Sequence, residues 1–426
     1  MSNTPKIRFK GFTDDWEQRK LDDVMSCVTD YVAAGSFADI RNNVTYLSEP
    51  GYAQLVRTVD LKKKFTNMDN IFVDKNAFDY LWRVNLNEDC IVLPNIGANI
   101  GEVYYVEPSE LPQENNVLGP NAILLKTEED RYFVFTSLTT DGFQSQLFEN
   151  VGSSGQPKFN KTELKNINLW LPSSEEQKKI GNAFRNLDNL ITLHQRKCDE
   201  TKELKKYMLQ KMFPKNGETK PEIRFEGFTD DWEQRKLLDL LSQPVSDGPH
   251  ETPDLVEEGI PFISVDAIVD NKIDFNRKRG YITEEYDLEC RKKYSPQRDD
   301  VYLVKSGATV GKVAIVETDE RFNIWSPLAA MRTNKELMLP NYLYFYLQLK
   351  DVQDEIYEKS IGGTQPNLSM RVLEQFNIRV PHIDEQEKIS DALNNLDNLI
   401  TLHQRKCDNL KELKKYMLQN MFPQKD

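Results

Sequence analysis

Apolar residues recur every three or four positions in two long segments of the chain, residues 173–213 and 382–422. This spacing places them on one face of an α-helix, and the alternation of four and three is typical of a coiled-coil seam. Each segment begins with acidic residues, which suit a helix N-terminus, and each ends at Met-Phe-Pro, where proline stops a helix. The pattern predicts two helices of about 40 residues, each roughly 60 Å long.

The seam of these helices predicts a helix–helix interface. Its residues are Ile180, Phe184, Leu187, Ile191, His194 and Cys198 in the first helix, and Ile389, Leu393, Leu396, Ile400, His403 and Cys407 in the second. Lys205 and Lys414 occupy later seam positions and weaken the apolar pattern toward that end. We expect the helices to lie antiparallel, with His194 and His403 close together where they cross.

Two segments of the chain occur twice. Residues 5–21 return as residues 221–237 with 15 of 17 positions identical, and we call these the opening segments. Residues 186–214 return as 395–423 with 26 of 29 identical. Like halves tend to pack about a two-fold axis, so the repeats predict a pseudo-two-fold arrangement. The second helix also ends where a link to the first opening segment would fit, so the repeats have the order of a ring of two halves cut at one junction.

The blocks between these repeats diverge in sequence but keep a common plan. Residues 89–101 and 299–311 each form an apolar run that ends in a Gly-x-x-x-Gly turn, which predicts a strand, a tight turn and a second strand. A Gln-Pro pair follows in each block, and then an apolar run that ends at Pro172 or Pro381. We therefore predict an α+β protein with two similar mixed α/β globular domains that present different side chains.

The domain boundaries follow from this plan. They place the first domain at residues 1–172, the first long helix at 173–214, the second domain at 215–381 and the second long helix at 382–426. At 426 residues the chain exceeds what one hydrophobic core usually supports, which agrees with two domains.

Composition narrows the class of protein. No apolar run approaches the roughly 20 residues that cross a bilayer, and the first residues lack the apolar core of a signal peptide. Five cysteines without a Cys-x-x-Cys pair indicate reduced thiols, so we expect a cytoplasmic protein with no membrane contact. The net charge of −13 argues against a protein that coats nucleic acid by itself.

Catalytic and metal chemistry are weakly represented. The run from Gly307 to Lys312 resembles a phosphate-binding loop, but its glycine spacing is one residue short and a strand should follow it. The pairs His194/Cys198 and His403/Cys407 have the i, i+4 spacing of zinc ligands. Packing within the seam explains them better, and we predict neither a metal site nor an enzyme.

The aromatic residues of the opening segments have two interpretations. Phe9, Phe12 and Trp16, repeated as Phe225, Phe228 and Trp232, have the character of side chains that stack on nucleic-acid bases. An identical motif cannot read two different sequences, however. Packing against the long helices, or docking of one partner twice, is the favoured interpretation.

The doubled order of these motifs resembles the specificity subunit of type I restriction-modification systems. The motifs are the Ile-Arg-Phe-x-Gly-Phe opening, the glycine turn, the Gln-Pro pair and the Glu-Gln helix start at Glu176 and Glu385. The resemblance implies a non-catalytic subunit in which two target recognition domains each read half of a bipartite site in double-stranded DNA. It also implies two methylation subunits and two restriction/translocation subunits as partners, with S-adenosylmethionine, ATP and Mg held by those partners.

Base readout in the major groove needs polar side chains on exposed loops. The candidates lie around the glycine turns, the Gln-Pro pairs and the loop at residues 247–252. They are Asn95, Asn99, Gln156, Lys158, His250, Thr252, Lys305, Ser306, Thr309, Lys312, Gln365 and Asn367. Ordinary turn chemistry is the alternative for each residue. For the whole chain, the alternative is a duplicated scaffold that bridges two copies of a partner without touching DNA, which the divergence of the blocks disfavours.

Overall fold

The chain divides into two compact units. The computed structural model describes residues 4–66, 69–149, 151, 157–215, 217–360 and 366–423. Unit 1 contains Met1–His194 and Arg405–Asp426, and unit 2 contains Gln195–Gln404. The predicted domain boundaries follow the ends of the long helices, whereas the compact units divide each long helix near its middle. Each long helix therefore contributes one half to each unit.

Unit 1 contains short strands and helices between its opening segment and the first long helix. The strands are β1 (Glu17–Lys20), β2 (Met25–Asp30), β3 (Ala53–Val56), β4 (Phe72–Val73), β5 (Cys90–Pro94), β6 (Tyr104–Val106), β7 (Asn116–Leu118), β8 (Ala122–Thr127) and β9 (Asn168–Leu171). The helices are α1 (Leu21–Val24), α2 (Phe37–Asn43), α3 (Thr58–Lys62), α4 (Lys75–Tyr80), α5 (Arg131–Leu138), α6 (Asp141–Glu149), α7 (Lys161–Lys165) and the long α8 (Ser174–Lys211).

Unit 2 repeats the plan. Its strands are β10 (Glu233–Lys236), β11 (Ser246–Asp247), β12 (Ile260–Ile263), β13 (Ile268–Val269), β14 (Lys272–Ile273), β15 (Gly280–Ile282), β16 (Val301–Val304), β17 (Val313–Ile315), β18 (Asn323–Ile324), β19 (Leu328–Met331) and β20 (Asn377–Val380). Its helices are α9 (Leu237–Leu240), α10 (Glu284–Arg291), α11 (Pro340–Tyr346), α12 (Lys350–Lys359), α13 (Met370–Glu374) and the long α14 (Ile383–Asn420). The two predicted long helices and the α+β class are confirmed.

Within the described residues, the four-stranded and three-stranded sheets of the two units have the same topology, and unit 2 adds a two-stranded β13-β14 sheet. A four-stranded sheet has the order β2-β8-β5-β6 in unit 1 and β11-β19-β16-β17 in unit 2. A three-stranded sheet has the order β4-β3-β7 and β15-β12-β18, with one antiparallel and one parallel pairing in each. The divergent blocks therefore share a fold, as their weak common pattern predicts.

Both faces of each four-stranded sheet are buried, which explains its continuous apolar runs. In unit 2, Val301 and Leu303 face a core shared with the conserved helices. Their neighbours Tyr302 and Val304 face a second core with the three-stranded sheet. The strands Cys90–Pro94 and Ala122–Thr127 alternate in the same way in unit 1. Each unit thus has three layers: the long-helix segments, the four-stranded sheet and the three-stranded sheet.

The halves of the long helices pack antiparallel within each unit. In unit 2, Lys205 Nζ lies 2.7 Å from Asp397 Oδ1. In unit 1, Lys414 Nζ lies 2.6 Å from Asp188 Oδ1. The lysines that weaken the apolar seam therefore make ion pairs across it, with aspartates that are themselves repeated in the sequence.

Each opening segment joins the end of one long helix to the start of the other. In unit 1, the backbone N–H of Ile7 donates to Asn420 O near the end of α14, at 2.9 Å. Arg8 donates two hydrogen bonds to the carboxylate of Glu176 in the first turn of α8, at 2.7 and 2.8 Å. Glu176 is fully buried. The hydrogen bond with Glu176 raises the pKa of the Arg8 guanidinium above its ordinary value.

Unit 2 contains the same contacts. Ile223 N–H donates to Lys211 O at 2.9 Å, and Arg224 makes two hydrogen bonds to Glu385, at 2.7 and 2.8 Å. Trp16 and Trp232 are buried beside the Phe422 and Phe213 rings of the helix ends. The packing interpretation of the repeated aromatics thus applies to both tryptophans. The end of the second helix lies beside the first opening segment, which agrees with the ring order of the repeats.

The glutamine of each Glu-Gln helix start connects the helix to its globular block. Gln177 Nε2 donates to Pro172 O at 3.1 Å and Gln386 Nε2 donates to Pro381 O at 3.0 Å. The other end of each amide accepts from a backbone N–H of the block, that of Asp130 or Leu339. This signature therefore fixes where the last strand ends and the long helix begins.

The glycine turns require left-handed backbone at both glycines. Gly97 and Gly101 have φ of +96° and +93°, and Gly307 and Gly311 have φ of +94° and +96°. A Cβ at Gly307 would meet nothing within 4 Å, whereas a Cβ at Gly311 would collide with Gln353 Oε1. Gly307 is therefore needed for its left-handed backbone conformation. Gly311 is needed for that conformation and also because a side chain would collide with Gln353.

We expect Arg8→Ala and Arg224→Ala each to lower the free energy of unfolding of the affected unit by about 3 to 5 kcal/mol, because each leaves a buried glutamate unpaired. Chemical denaturation followed by tryptophan fluorescence measures this. Arg19→Ala, which breaks a half-exposed pair with Glu129, is the control and should cost at most about 1 kcal/mol. Equal effects for Arg8 and Arg19 would contradict the structural role given to the buried pair.

The turn glycines give a second prediction. Gly307→Ala should cost about 1 to 2 kcal/mol of unfolding free energy from left-handed strain alone. Gly311→Ala should cost more, because the added methyl group also displaces Gln353. Thermal denaturation of the two variants measures the difference, and a Gly311→Ala variant as stable as Gly307→Ala would show that this space is not needed.

Candidate nucleic-acid interface

The glycine turn and the Gln-Pro segment lie side by side in each unit. Gly97 N–H donates to Pro157 O at 3.0 Å, and Gly307 N–H donates to Pro366 O at 3.0 Å. Isolated β-bridges pair Ile96 with Lys158 and Ser306 with Asn367. Two sequence motifs about 60 residues apart therefore form one edge at the end of the four-stranded sheet. Gln156 and Gln365, predicted to contact DNA, lie outside the described residues.

The residue that precedes each turn differs between the units. Asn95 is half-buried, and its Nδ2 donates to Phe159 O at 3.3 Å. Lys305 occupies the equivalent position and is only 8% exposed. The structure therefore gives Asn95 a role in holding the Gln-Pro segment. Lys305 instead makes an ion pair with Asp247.

Asp247 organises the edge in unit 2. Its side chain is completely buried, and its carboxylate is paired with Lys293, with Lys305 at 3.3 Å and with His250 at 3.4 Å. Lys293 also donates to Gly248 O at 3.3 Å. One buried carboxylate thus gathers three basic side chains, two of which, Lys305 and His250, the sequence nominates for DNA contact.

Asp30 occupies the same sheet position in unit 1. It pairs with Ile123 of β8, which in turn pairs with Leu93 of β5, just as Asp247 pairs with Ala329 of β19 and through it with Leu303 of β16. Asp30 Oδ1 lies 2.9 Å from Lys161 Nζ. We define the reading edge of unit 1 as Asp30, Asn95, Ile96 and Lys158, and that of unit 2 as Asp247, Lys305, Ser306 and Asn367.

Several nominated side chains are exposed at or near these edges. Lys158, His250, Thr252 and Asn367 are exposed, and Ser306 and Thr309 are half-buried. Asn99 Oδ1 accepts a hydrogen bond from Lys62 at 2.9 Å. Lys312 is exposed, and its Nζ donates to Ile268 O at 3.3 Å.

An aromatic side chain that the sequence did not single out extends the unit 2 edge. Trp325 is half-buried, and the Arg279 guanidinium lies 4.2 Å from its ring centroid. The neighbouring Ser326 N–H donates to Pro249 O at 3.2 Å, which attaches this corner to the loop of His250. Arg279 belongs to a short basic run at residues 277–279, the one signal in the sequence that could have found it.

The predicted helix–helix residues divide between two environments. Ile180 and Phe184 lie in the unit 1 core beside Met421 and Phe422 from the end of the other helix, and Ile389 and Leu393 lie in the unit 2 core. Leu187 is buried, and Ile191, Leu396 and Ile400 are half-buried. The seam residues nearest the start of each long helix thus pack against the globular block as well as against the other helix.

The cysteines of the seam are buried and contact helix backbone. Cys198 Sγ lies 3.8 Å from Ile400 O, and Cys407 Sγ lies 4.0 Å from Ile191 O. His194 and His403 are half-buried, and their approach to each other stays a prediction. No group of three or more His, Cys, Asp or Glu side chains suited to a metal ion occurs in the part of the chain that the structure describes.

Comparison with known proteins gives consistent matches. The model of the type I restriction modification DNA specificity domain matches residues 13–203 and 229–412. The type I restriction enzyme MjaVIII specificity subunit of Methanocaldococcus jannaschii is 24% identical over 348 residues, 78% of each chain. The putative MjaX specificity subunit of the same organism is 22% identical over 438 residues, 98% of this chain and 95% of that one.

The fold of the whole chain resembles that of a solved S subunit. The crystal structure of a type I restriction-modification system S subunit from M. genitalium superposes with a TM-score of 0.66 and covers 99% of this chain and 100% of that chain. At 15% identity this likeness shows the fold alone. Within the described residues, no helix is long and apolar enough to span a membrane. Because the domain model matches most of the sequence, once in each half, the chain belongs to the family of type I restriction-modification DNA specificity proteins.

Proposed function

We propose that this chain is the DNA-recognition subunit of a type I restriction-modification complex, in which each unit reads one half of a bipartite site. The observation that carries this proposal is the pair of reading edges. The two edges are built on the same sheet and the same turn, yet they present unlike side chains at equivalent positions. Asn95 is equivalent to Lys305, Ile96 to Ser306, and Lys158 to Asn367.

The chemistry of the edges suits base contacts. Lysine donates to guanine acceptors in the major groove, and an amide such as that of Asn367 pairs with adenine; a good bidentate pair contributes about 1 to 3 kcal/mol of discrimination. Lys158, Asn367, His250 and Thr252 are exposed and available for such contacts. Several contacts of this size would supply the roughly 4 to 10 kcal/mol that separate specific from non-specific binding.

The repeated parts have the properties of a frame for identical partners. The opening segments and helix starts make the same ion pairs and hydrogen bonds in both units. Two methylation subunits can therefore dock on equivalent surfaces, and the long helices serve as the spacer between the readers. Partner surfaces would also offset the net charge of −13, which opposes DNA binding by this chain alone.

Under this proposal the chain itself performs no catalysis. S-adenosylmethionine, which supplies the methyl group, would be held by the methylation subunits. ATP and Mg would be used by two restriction/translocation subunits. The contribution of this chain is to position those subunits on a chosen sequence.

Exchange of one divergent block tests the proposal. The block at residues 238–375 would be replaced by the corresponding block of a related specificity subunit, and the opening segments and long helices would be kept. The complex with co-expressed methylation subunits would then select duplexes from a random DNA pool. We expect one half of the selected site to change and the other half to remain. Loss of all sequence preference in the unaltered complex would favour the scaffold that never touches DNA.

Asp247→Asn gives a residue-level prediction. The change leaves Lys293, Lys305 and His250 without their shared carboxylate, so we expect a loss of about 3 to 5 kcal/mol in the stability of unit 2. We also expect weaker discrimination at the half-site that unit 2 reads, measured with duplexes that carry single base changes. Asp30→Asn is the matched control, because it should affect only the other half-site. Equal weakening of both half-sites by Asp247→Asn would contradict the assignment.

A further inference from the structure

An open groove of about 1050 Å³ lies in unit 2 between the last turns of α8, the start of α12 and the second half of the glycine turn. Eight of its lining side chains are lysine or arginine and one, Asp351, is acidic. Its floor contains apolar side chains, among them Leu209, Val310 and Leu349. This is a concentration of positive charge in a chain whose net charge is strongly negative.

Part of this charge is neutralised by neighbouring carboxylates. Lys205 is paired with Asp397, and Lys350 lies 2.5 Å from Asp354. Lys211 and Lys215 both donate to Glu222, and these hydrogen bonds lower the pKa of Glu222 to about 2. These lysines are therefore already occupied.

The remaining cations have no such partner. Within the described residues, the side chains of Lys202, Lys206 and Arg379 lie within 4 Å of no carboxylate oxygen, and Lys312 Nζ contacts only the main-chain oxygen of Ile268. Lys202, Lys206 and Lys312 are exposed. Four positive charges thus line one groove and are free to bind an anion.

The charge at the groove position differs between the units. Gly101 and Gly311 are equivalent, so Glu102 of unit 1 stands where unit 2 has Lys312. In the same way Asp141 replaces Lys350, Trp170 replaces Arg379 and Asn420 replaces Lys211. Of the four free cations, Lys312 and Arg379 are therefore replaced in unit 1, whereas Lys202 and Lys206 recur there as Lys411 and Lys415. A partner that docks identically on both units would not require this difference.

The groove is continuous with the reading edge. The residues from Gly307 to Lys312 form one turn, whose first part is bridged to the Gln-Pro segment and whose second part lines the groove. In DNA, phosphates flank the bases that a protein reads, and lysine and arginine contacts to them fix the position of the protein without reading sequence.

We propose that this groove binds the phosphate backbone of the DNA that flanks the half-site read by unit 2. The inference rests on the proposed function, and adds that the two half-sites are held unequally. Lys202, Lys206, Lys312 and Arg379 are the phosphate contacts. Unit 1, with Glu102 in place of Lys312 and Trp170 in place of Arg379, holds its half-site with fewer of them.

The salt dependence of binding tests this directly. Each phosphate contact contributes about 0.9 to the slope of log binding constant against log salt concentration. In the complex with methylation subunits, Lys202→Gln/Lys206→Gln should reduce the slope by roughly 2 and leave the preferred sequence unchanged. The matched variant Lys411→Gln/Lys415→Gln changes the equivalent lysines of unit 1, where Glu102 replaces Lys312 and Trp170 replaces Arg379, and should reduce the slope by less. Size-exclusion chromatography of each complex would confirm that the subunits stay assembled.

A reciprocal variant adds a gain of function. Glu102→Lys/Asp141→Lys gives unit 1 the charges of unit 2 and should make the slope steeper. An unchanged slope in the Lys202/Lys206 variant, with sequence-specific binding intact, would overturn this inference alone. Loss of the methylation subunits from that variant would instead show that the groove binds an acidic protein segment, and would overturn it too. Absence of any sequence preference in the unaltered complex would refute the proposed function itself.

Discussion

The rest of the structure depends on the pair of hydrogen bonds between an arginine of each opening segment and a glutamate at the start of a long helix. Glu176 and Glu385 are buried in the first turn of their helices, where the helix dipole favours a negative charge. Arg8 and Arg224 pair with these glutamates. The isoleucine before each arginine donates its backbone N–H to the last carbonyl of the other long helix in that unit. The start of one helix and the end of the other are thereby fixed together in each unit. This explains why the opening segments and helices are nearly identical copies.

A frame fixed in this way leaves the globular blocks free to diverge. Each block needs only to continue the same three layers. The residues of β5 and β16 alternate between the same two cores in both units although the two strands differ in sequence. Asp30 and Asp247 occupy the same position in the four-stranded sheet but gather different partners, one lysine in the first case and three basic side chains in the second.

The regular parts of the fold follow from the sequence because their signals are local and repeated. Heptad spacing with a Met-Phe-Pro stop predicts α8 and α14 within two residues, and the glycine turns predict the hairpins β5-β6 and β16-β17. The long-range pairs were not predictable in the same way. Nothing near Asp247 in the sequence points to Lys293 or Lys305, which lie 46 and 58 positions away. The contact between the Trp325 ring and the Arg279 guanidinium is also visible only in the folded chain. Lys205 and Lys414 likewise interrupt the apolar seam in the sequence, and only the structure shows that they pair with Asp397 and Asp188.

The account holds that two unlike edges on one conserved frame each select their own short stretch of DNA. Mapping of methylated bases across the genome of a cell that carries the complete complex tests this most directly. The account predicts a single recognition pattern made of two short, different specified segments separated by a gap of fixed length with no base preference. A pattern with one continuous specified segment, or a gap of variable length, would contradict it.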